Sequence, residues 1–196
     1  MVNYADIIAD TTSKHYNVHD QYKHNTIEQN VEICKSDRLK FSVGCINITG
    51  ELNIGMMIRS ACLMGAENFY IFGRNKFDKR STVGAEKYIN IIQHTFTDPL
   101  HADQKICDVL MEPEQAQFDI LLCETGERTI GKYSNVWNDV VNPLFLFGSE
   151  SHGIPEIIRT EFSQISIPQR GVIRSFNVSA AMNIIVWDYI KEKQPW

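Results

Sequence analysis

The sequence lacks several features that mark particular classes of protein. It contains no apolar run that approaches the roughly eighteen residues of a membrane-spanning helix. Residues 1–30 are polar, without a basic start followed by an apolar run, so no secretory signal is expected. The glycine-rich phosphate loops GxGxxG and GxxxxGKS or GxxxxGKT are also absent, which disfavours a Rossmann or P-loop nucleotide binder.

The five cysteines include no CxxC pair, and this spacing disfavours a zinc site. Most of them have apolar neighbours, among which a free cysteine behaves as a small hydrophobe. We therefore interpret them as reduced thiols and expect a cytoplasmic protein without a metal. These cysteines are Cys34, Cys45, Cys62, Cys107 and Cys123.

An excess of positive charge is absent as well. The chain has 19 Lys and Arg residues against 24 Asp and Glu residues, a formal net charge of −5. A protein that binds nucleic acid without specificity is normally basic, so this class is disfavoured. A local basic patch is still compatible with the composition, because net charge does not say where the charges lie.

What is present is enough apolar sequence for one globular domain, with 43% hydrophobic residues in 196 positions. Residues 1–40 are polar and are predicted to be a partly helical N-terminal extension, whose histidines we interpret as solvated. Ile27, Val31 and Cys34 have helical spacing and predict a short amphipathic helix over about residues 26–36. Residues 41–196 are predicted to form one domain.

Strand-like and helix-like segments alternate through this domain. The alternation predicts the α/β class, with a parallel sheet and helices on both faces. Strands are predicted at residues 41–48, 68–73, 118–124, 142–148 and 163–168. Helices are predicted from residue 53 onward and at residues 84–92, 102–115, 155–160 and 177–191.

Three loops that leave predicted strands are rich in glycine and polar residues. They are predicted to converge, because ligands of open parallel sheets bind outside the carboxyl ends of the strands. In the first loop, Asn53 is an expected helix N-cap. Gly55 and Arg59 lie four positions apart on one helix face, where the glycine allows a backbone or a ligand to come close. A capped surface helix with a solvated arginine is the alternative.

The second loop carries Gly148, Glu150 and Gly153, and its backbone groups could face a small ligand. A tight strand-to-helix turn is the alternative. The third loop spans residues 167–177 and has more polar residues than an ordinary connection of two to six residues needs. Ser175 and Asn177 are expected at the N-terminus of the last helix, where unpaired N–H groups are available.

The last helix has two apolar stripes, so it is predicted to be buried from two sides. Dimerisation could supply the second partner. One stripe comprises Val178, Ala181, Met182, Ile185, Val186 and Tyr189, and the other comprises Ala180, Ile184 and Trp187.

Taken in order, the three loops resemble the signature motifs of the SpoU branch of the SPOUT RNA methyltransferases. The first resembles N-x-G-x-x-x-R-S-A and the second G-x-E-x-x-G. The third resembles I-P-x-x-G-x-x-x-S-L-N-V-S, with Phe176 in place of the usual leucine. The matching residues are Asn53, Gly55, Arg59, Ser60 and Ala61, then Gly148, Glu150 and Gly153, then Ile167, Pro168, Gly171, Ser175, Asn177, Val178 and Ser179.

This resemblance implies a SPOUT fold with a C-terminal trefoil knot that holds S-adenosylmethionine, and a homodimer that shares its active sites. It implies transfer of a methyl group to a ribose 2′-hydroxyl of RNA, with Arg59 supplied by the opposite subunit. A guanidinium remains protonated in proteins, so we interpret Arg59 as a phosphate clamp that stabilises the developing alkoxide.

The resemblance also implies roles for the other motif residues. Asn53 and Glu150 would orient the site, and Ser175 and Asn177 would shape it. The implied cofactor-binding residues are Glu124, Gly148, Ile167, Gln169, Phe176 and Asn177.

The favoured RNA substrate is tRNA, with a guanosine of the D-loop as the favoured target. Ribosomal RNA, another tRNA position and a catalytically silent RNA-binding dimer are the alternatives. Neither a membrane nor a metal is an expected partner. Candidate RNA contacts are Lys14, Lys23, Lys35, Arg38, Lys40, Arg74, Lys76, Lys79 and Arg80.

Overall fold

The structure is a computed structural model that describes residues 17–98, 100–112, 114–131 and 135–193. In this part of the chain, six strands form one parallel sheet in the order β3-β2-β1-β5-β4-β6. The strands are β1 (Ser42–Ile46), β2 (Asn68–Phe72), β3 (Asn90–His94), β4 (Asp119–Thr129), β5 (Pro143–Phe147) and β6 (Ser163–Ser166).

Helices separate most of the strands, which confirms the predicted α/β class. They are α1 (Ile27–Ser36), α2 (Glu51–Leu63), α3 (Lys79–Thr82), α4 (Ala102–Leu110), α5 (Glu156–Arg159) and α6 (Val178–Lys193). Short 3₁₀ turns occupy Asp20–Tyr22 and Ala85–Lys87. No helix within the described ranges is both long and apolar enough to cross a membrane.

The core is divided between the two faces of the sheet, as the prediction of helices on both faces requires. Phe145 and Leu146 are neighbours on β5, and they point to opposite faces because side chains alternate along a strand. Phe145 belongs to a buried cluster that includes residues of α2 and α6. Leu146 belongs to a second cluster that includes residues of α4 and α5.

One predicted element is wrong. Residues 84–92 were expected to form a short helix, but only Ala85–Lys87 is helical, and β3 begins at Asn90. β3 pairs in parallel with β2, and the rings of Phe72 and His94 stack across this pair with centroids 5.2 Å apart. Pairing with an existing sheet edge therefore outweighs the local helical pattern.

The ends of two elements also differ from prediction. β4 continues past residue 124 to Thr129, with a register shift between Cys123 and Arg128 in its pairing with β6. Helix α4 ends at Leu110 rather than at residue 115. The strand order is consistent with the C-terminal trefoil knot that the resemblance implies.

The helix predicted near residue 26 is confirmed as α1. Its first turn has a capping box, in which Thr26 Oγ1 accepts a hydrogen bond from Gln29 N and Gln29 Oε1 accepts one from Thr26 N. Arg38 Nη2 donates to the backbone oxygen of Tyr88 over 3.1 Å, which links this segment to the turn before β3. The division of the chain at residue 40 stays a prediction.

Candidate active site

The first two loops meet because β1 and β5 are parallel neighbours, with Cys45 opposite Phe147. Their carboxyl ends therefore lie at the same edge of the sheet. Asn53 Nδ2 donates a 2.7 Å hydrogen bond to Glu150 Oε1, which joins the first motif to the second.

The third motif joins through the other end of the same amide. Asn177 Nδ2 donates to Asn53 Oδ1 over 3.1 Å. Asn53 thus connects Glu150 and Asn177, and the predicted convergence of the three loops is confirmed. We call Asn53, Glu150 and Asn177 the polar triad.

Asn177 also begins α6. Its Oδ1 accepts hydrogen bonds from Ser179 N at 3.0 Å and Ala180 N at 3.3 Å, so it is the N-cap that its sequence position predicts. One side chain therefore caps the helix with its oxygen and holds Asn53 with its nitrogen.

The predicted N-cap role of Asn53 is wrong. Helix α2 begins at Glu51 with Gly50 as its N-cap, so Asn53 is the third helical residue. Its side chain is engaged with Glu150 and Asn177 instead of with its own helix. The asparagine correctly indicated that a helix starts nearby, but its side-chain amide forms long-range hydrogen bonds instead of a helix cap.

Two residues of the first loop were not predicted as part of the site. Thr49 donates to Glu150 Oε2 from its backbone nitrogen at 3.3 Å and from its hydroxyl at 3.4 Å. At Gly50 a Cβ atom would lie 3.0 Å from both Asn53 Nδ2 and Glu150 Oε1, so a side chain would crowd the triad. A glycine just before the helix start was the available signal.

The hydrogen bonds to Glu150 control its ionisation. Partial burial acts to raise the pKa of this carboxyl, but hydrogen bonds from Asn53 and Thr49 outweigh burial and lower the pKa below 4.5. Glu150 is therefore a carboxylate at neutral pH. It can accept and orient hydrogen bonds, but it has no proton to donate.

The second loop is a tight turn. Ser149 and Gly153 exchange two backbone hydrogen bonds of 3.1 and 2.9 Å. A Cβ atom at Gly148 would lie 2.2 Å from the carbonyl carbon of Gly153, so only glycine fits there. Gly153 has a φ of +68°, which also favours glycine.

Glu124, predicted to line the cofactor pocket, lies against this turn. Its Oε1 accepts a 2.9 Å hydrogen bond from Ile154 N. A Cβ atom at Gly153 would lie 2.0 Å from the same oxygen. Glu124 thus supports the second loop from β4, and its contact with a cofactor stays a prediction.

Arg59 lies apart from the polar triad. It follows Asn53 by six helical residues, which places it about 9 Å further along the axis and on another side. Gly55, one turn before Arg59, is buried under α3, where a Cβ atom would lie 2.7 Å from the backbone oxygen of Asp78. The close approach predicted at Gly55 is therefore made by the backbone of this chain and not by a ligand.

Arg59 is exposed within an apolar stripe of α2. Leu52, Met56 and Leu63 share this stripe at helical spacing and are 56%, 40% and 71% exposed. Within the described ranges no hydrogen bond or ion pair joins Arg59 to another residue. The Arg59 side chain is therefore open to solvent in the single chain.

Helix α6 confirms one of its two predicted stripes as core. Met182, Ile185, Val186 and Tyr189 are buried. The residues of the second stripe, Ala180, Ile184 and Trp187, are exposed in the single chain. Helices α2 and α6 pack together, so their exposed stripes belong to one side of the molecule.

The third loop is exposed from Pro168 to Asn177. Ile167 is partly buried against the core cluster, whereas Gln169, Ser175 and Phe176 are exposed. In the described part of the chain, no hydrogen bond joins Gln169 or Ser175 to the polar triad. The predicted roles of Gln169 and Ser175 stay predictions.

Two other expectations concern metals and RNA. Among the described residues, no group of three His, Cys, Asp or Glu side chains could hold a metal ion. Lys14, a candidate RNA contact, lies outside the described residues.

The sequence model of the SpoU rRNA Methylase family matches residues 40–187. A curated relative is the putative tRNA (cytidine(34)-2′-O)-methyltransferase of Mycoplasma genitalium. It is 35% identical over 77 residues, which are 38% of this chain and 46% of that protein. The chain thus spans about half the length of this relative.

Solved structures with a similar fold include two SpoU enzymes. The TrmH/SpoU tRNA modifying enzyme of A. aeolicus has a TM-score of 0.64 at 21% identity, covering 85% of this chain and 83% of that one. The SpoU methyltransferase AviRb of Streptomyces viridochromogenes, in complex with the cofactor AdoMet, has a TM-score of 0.63 at 20% identity. That match covers 81% of this chain and 59% of AviRb.

Proposed function

The chain belongs to the SpoU rRNA Methylase family, and from this premise we propose that it is an S-adenosylmethionine-dependent RNA ribose 2′-O-methyltransferase. The observation that carries the proposal is the polar triad, in which Asn53 connects the second and third motifs by hydrogen bonds. AviRb, which has a similar fold, is described in complex with AdoMet, the same cofactor.

The third loop fits a bound adenosine. Within the described part of the chain, the backbone groups of residues 168–176 make no hydrogen bond. Unpaired N–H and C=O groups beside the partly buried Ile167 and the exposed ring of Phe176 can bind the edges and the face of a purine. Gly148, Gln169, Asn177 and Glu124 would complete this pocket.

The bound cofactor would supply a methyl group on a positively charged sulfur. It would give that methyl carbon to the ribose 2′-oxygen and leave as a neutral thioether, and the hydroxyl proton would go to phosphate or water. The protein's task is alignment of these atoms. In the proposal, Asn53 and Asn177 hold the site in register, Ser175 shapes it, and the Glu150 carboxylate fixes the amide of Asn53.

Arg59 would serve the site of a second copy of this chain. It lies outside the polar triad of its own chain and within the exposed stripe that Leu52, Met56 and Leu63 form. Two exposed helical stripes on one side of the molecule suit a homodimer interface. Across that interface the guanidinium would bind the RNA phosphate in a bidentate manner and stabilise the developing alkoxide.

The RNA substrate that we propose is tRNA. The curated relative is named for cytidine 34 of tRNA, which favours nucleotide 34 as the target. The third-loop sequence resembles enzymes that modify a D-loop guanosine, which favours that nucleotide as the second candidate.

A methyl-transfer assay with a radiolabelled methyl donor distinguishes these candidates. Three tRNA transcripts are compared: one unmodified, one already 2′-O-methylated at nucleotide 34, and one already 2′-O-methylated at the D-loop guanosine. We expect transfer to the first and loss of transfer to only one of the others. A folded protein that binds tRNA but transfers no methyl group to any RNA would contradict the proposal and favour a silent RNA-binding dimer.

A further inference from the structure

The segment after β2 concentrates positive charge in a chain whose net charge is −5. It comprises Arg74, Lys76, Lys79 and Arg80 within residues 74–80, and we call it the basic segment. All four side chains are exposed. Because β2 is the parallel neighbour of β1, the basic segment leaves the same sheet edge as the first motif.

Hydrogen bonds hold the basic segment against the first motif. Asn75 Nδ2 donates to the backbone oxygen of Ile48 over 2.7 Å. The backbone nitrogen of Asp78 donates to the backbone oxygen of Glu51 over 3.1 Å. These bonds attach the segment just before and just after Thr49 and Gly50, so its position relative to the polar triad is built into the fold.

The basic segment keeps most of its charge available. Asp78 forms an ion pair with Arg80 at 2.6 Å, which compensates one of the four cations. Arg74 donates to the backbone oxygens of Phe96, at 2.9 Å, and Thr97, so it is held in place by neutral groups. Within the described ranges, Lys76 and Lys79 have no acidic partner.

We propose that the basic segment binds the sugar-phosphate backbone of the RNA substrate next to the reacting ribose, through Lys76 and Lys79. The inference rests on the proposed function and adds a docking surface to it. Exposed ammonium groups bind phosphates with little dependence on base sequence and release counterions when they do so. Two such groups on a segment that is hydrogen-bonded to the first motif would set where the RNA strand enters.

The test compares two charge-matched double variants, Lys76→Gln with Lys79→Gln, and Lys87→Gln with Lys105→Gln. Lys87 precedes β3 and so lies near the amino ends of the strands, whereas the basic segment lies at their carboxyl ends. Lys105 is exposed on α4. Affinity for a tRNA transcript is measured over a range of salt concentrations. In the same preparations, calorimetry measures S-adenosylmethionine binding.

We expect the first double variant to bind tRNA about tenfold more weakly near 0.1 M salt, because two counterion-releasing contacts are lost. Its plot of log affinity against log salt should be shallower by about 1.4 to 1.8, since each phosphate contact contributes about 0.7 to 0.9. The control variant should match the wild type, and both variants should bind S-adenosylmethionine normally.

Equal salt slopes for the wild type and both variants would overturn the proposal while leaving the proposed function intact. A wild-type protein that binds S-adenosylmethionine but no tRNA would overturn the proposed tRNA substrate, and this docking surface with it.

Discussion

Asn53 and Glu150 are 97 positions apart in the sequence, yet the amide of one donates a 2.7 Å hydrogen bond to the carboxylate of the other. The oxygen of the same amide accepts from Asn177. Because both ends of the Asn53 amide are engaged, its orientation is defined by residues from two other loops. The three motifs therefore form one unit, and a change in any member should disturb the other two.

Glu150→Gln should reduce methyl transfer, because the neutral amide binds Asn53 Nδ2 and Thr49 less strongly than the carboxylate does. The pKa of Glu150 is lowered in the folded protein, so its charge stabilises the fold above pH 4.5 and this contribution is lost as the pH falls through the lowered pKa. Urea unfolding of wild type and variant should therefore differ at pH 7 and converge towards pH 3. A difference that persists unchanged at pH 3 would contradict the ionised role.

The two functions of Asn177 can be separated by substitution. Asn177→Ala removes the cap of α6 and should lower the free energy of unfolding by about 1 kcal/mol, together with activity. Asn177→Asp keeps an acceptor for the helix N–H groups but loses the donor to Asn53, so stability should be retained while activity falls. Urea denaturation and a methyl-transfer assay measure the two effects. Full activity of the aspartate variant would contradict the proposal that Asn177 acts through its hydrogen bond to Asn53.

Arg59 offers a test of the shared site. Arg59→Ala and Asn177→Ala should each be inactive alone. In an equimolar mixture of freely exchanging subunits, half of the dimers contain one of each, and each of these has one intact site. Activity should then recover to about one quarter of the wild-type value.

No recovery, with mass measurements showing that mixed dimers have formed, would place Arg59 in the site of its own chain. Arg59→Lys is the companion variant, and it should be poorly active because an ammonium cannot form the bidentate contact. Full activity of this lysine variant would contradict the phosphate clamp.

Gly148→Ala should destabilise the protein by at least about 2 kcal/mol, because the new methyl group would overlap the backbone of Gly153 and Ile154. Gly171→Ala is the matched control, since a Cβ atom there has no neighbour within 4 Å, and its cost should stay within about 0.5 kcal/mol. Thermal unfolding of both variants checks the difference. Equal costs would mean that the second loop relaxes to accept a side chain.

The sheet was largely predictable because its central strands are short apolar runs. β5, Pro143–Phe147, is buried on both faces, and such a strand reads as a continuous apolar segment. β3 was not predictable in this way, because it lies at the sheet edge and only its pairing with β2 makes it a strand. The local sequence of a segment does not determine which strand it will pair with.

The convergence of the three loops was more predictable than the contacts within them. Parallel strands bring their carboxyl ends to one edge, so convergence of the loops followed from the fold class and the resemblance. The pairing of Asn53 with Glu150 and Asn177 did not follow, since local capping rules favour a contact of Asn53 with its own helix. Thr49 was missed because its main contribution is a backbone N–H, which every residue except proline has.

The hydrogen bond between Asn177 and Asn53 spans 124 positions, and this has a consequence for the protein during its synthesis. At roughly 5 to 20 residues per second, a ribosome needs about 6 to 25 s to pass from the first residue to the second. Throughout that interval Asn53 has been made but its partner has not. A nascent chain that ends before Asn177 cannot form the polar triad, so the proposed active site is the part of the molecule that is completed last.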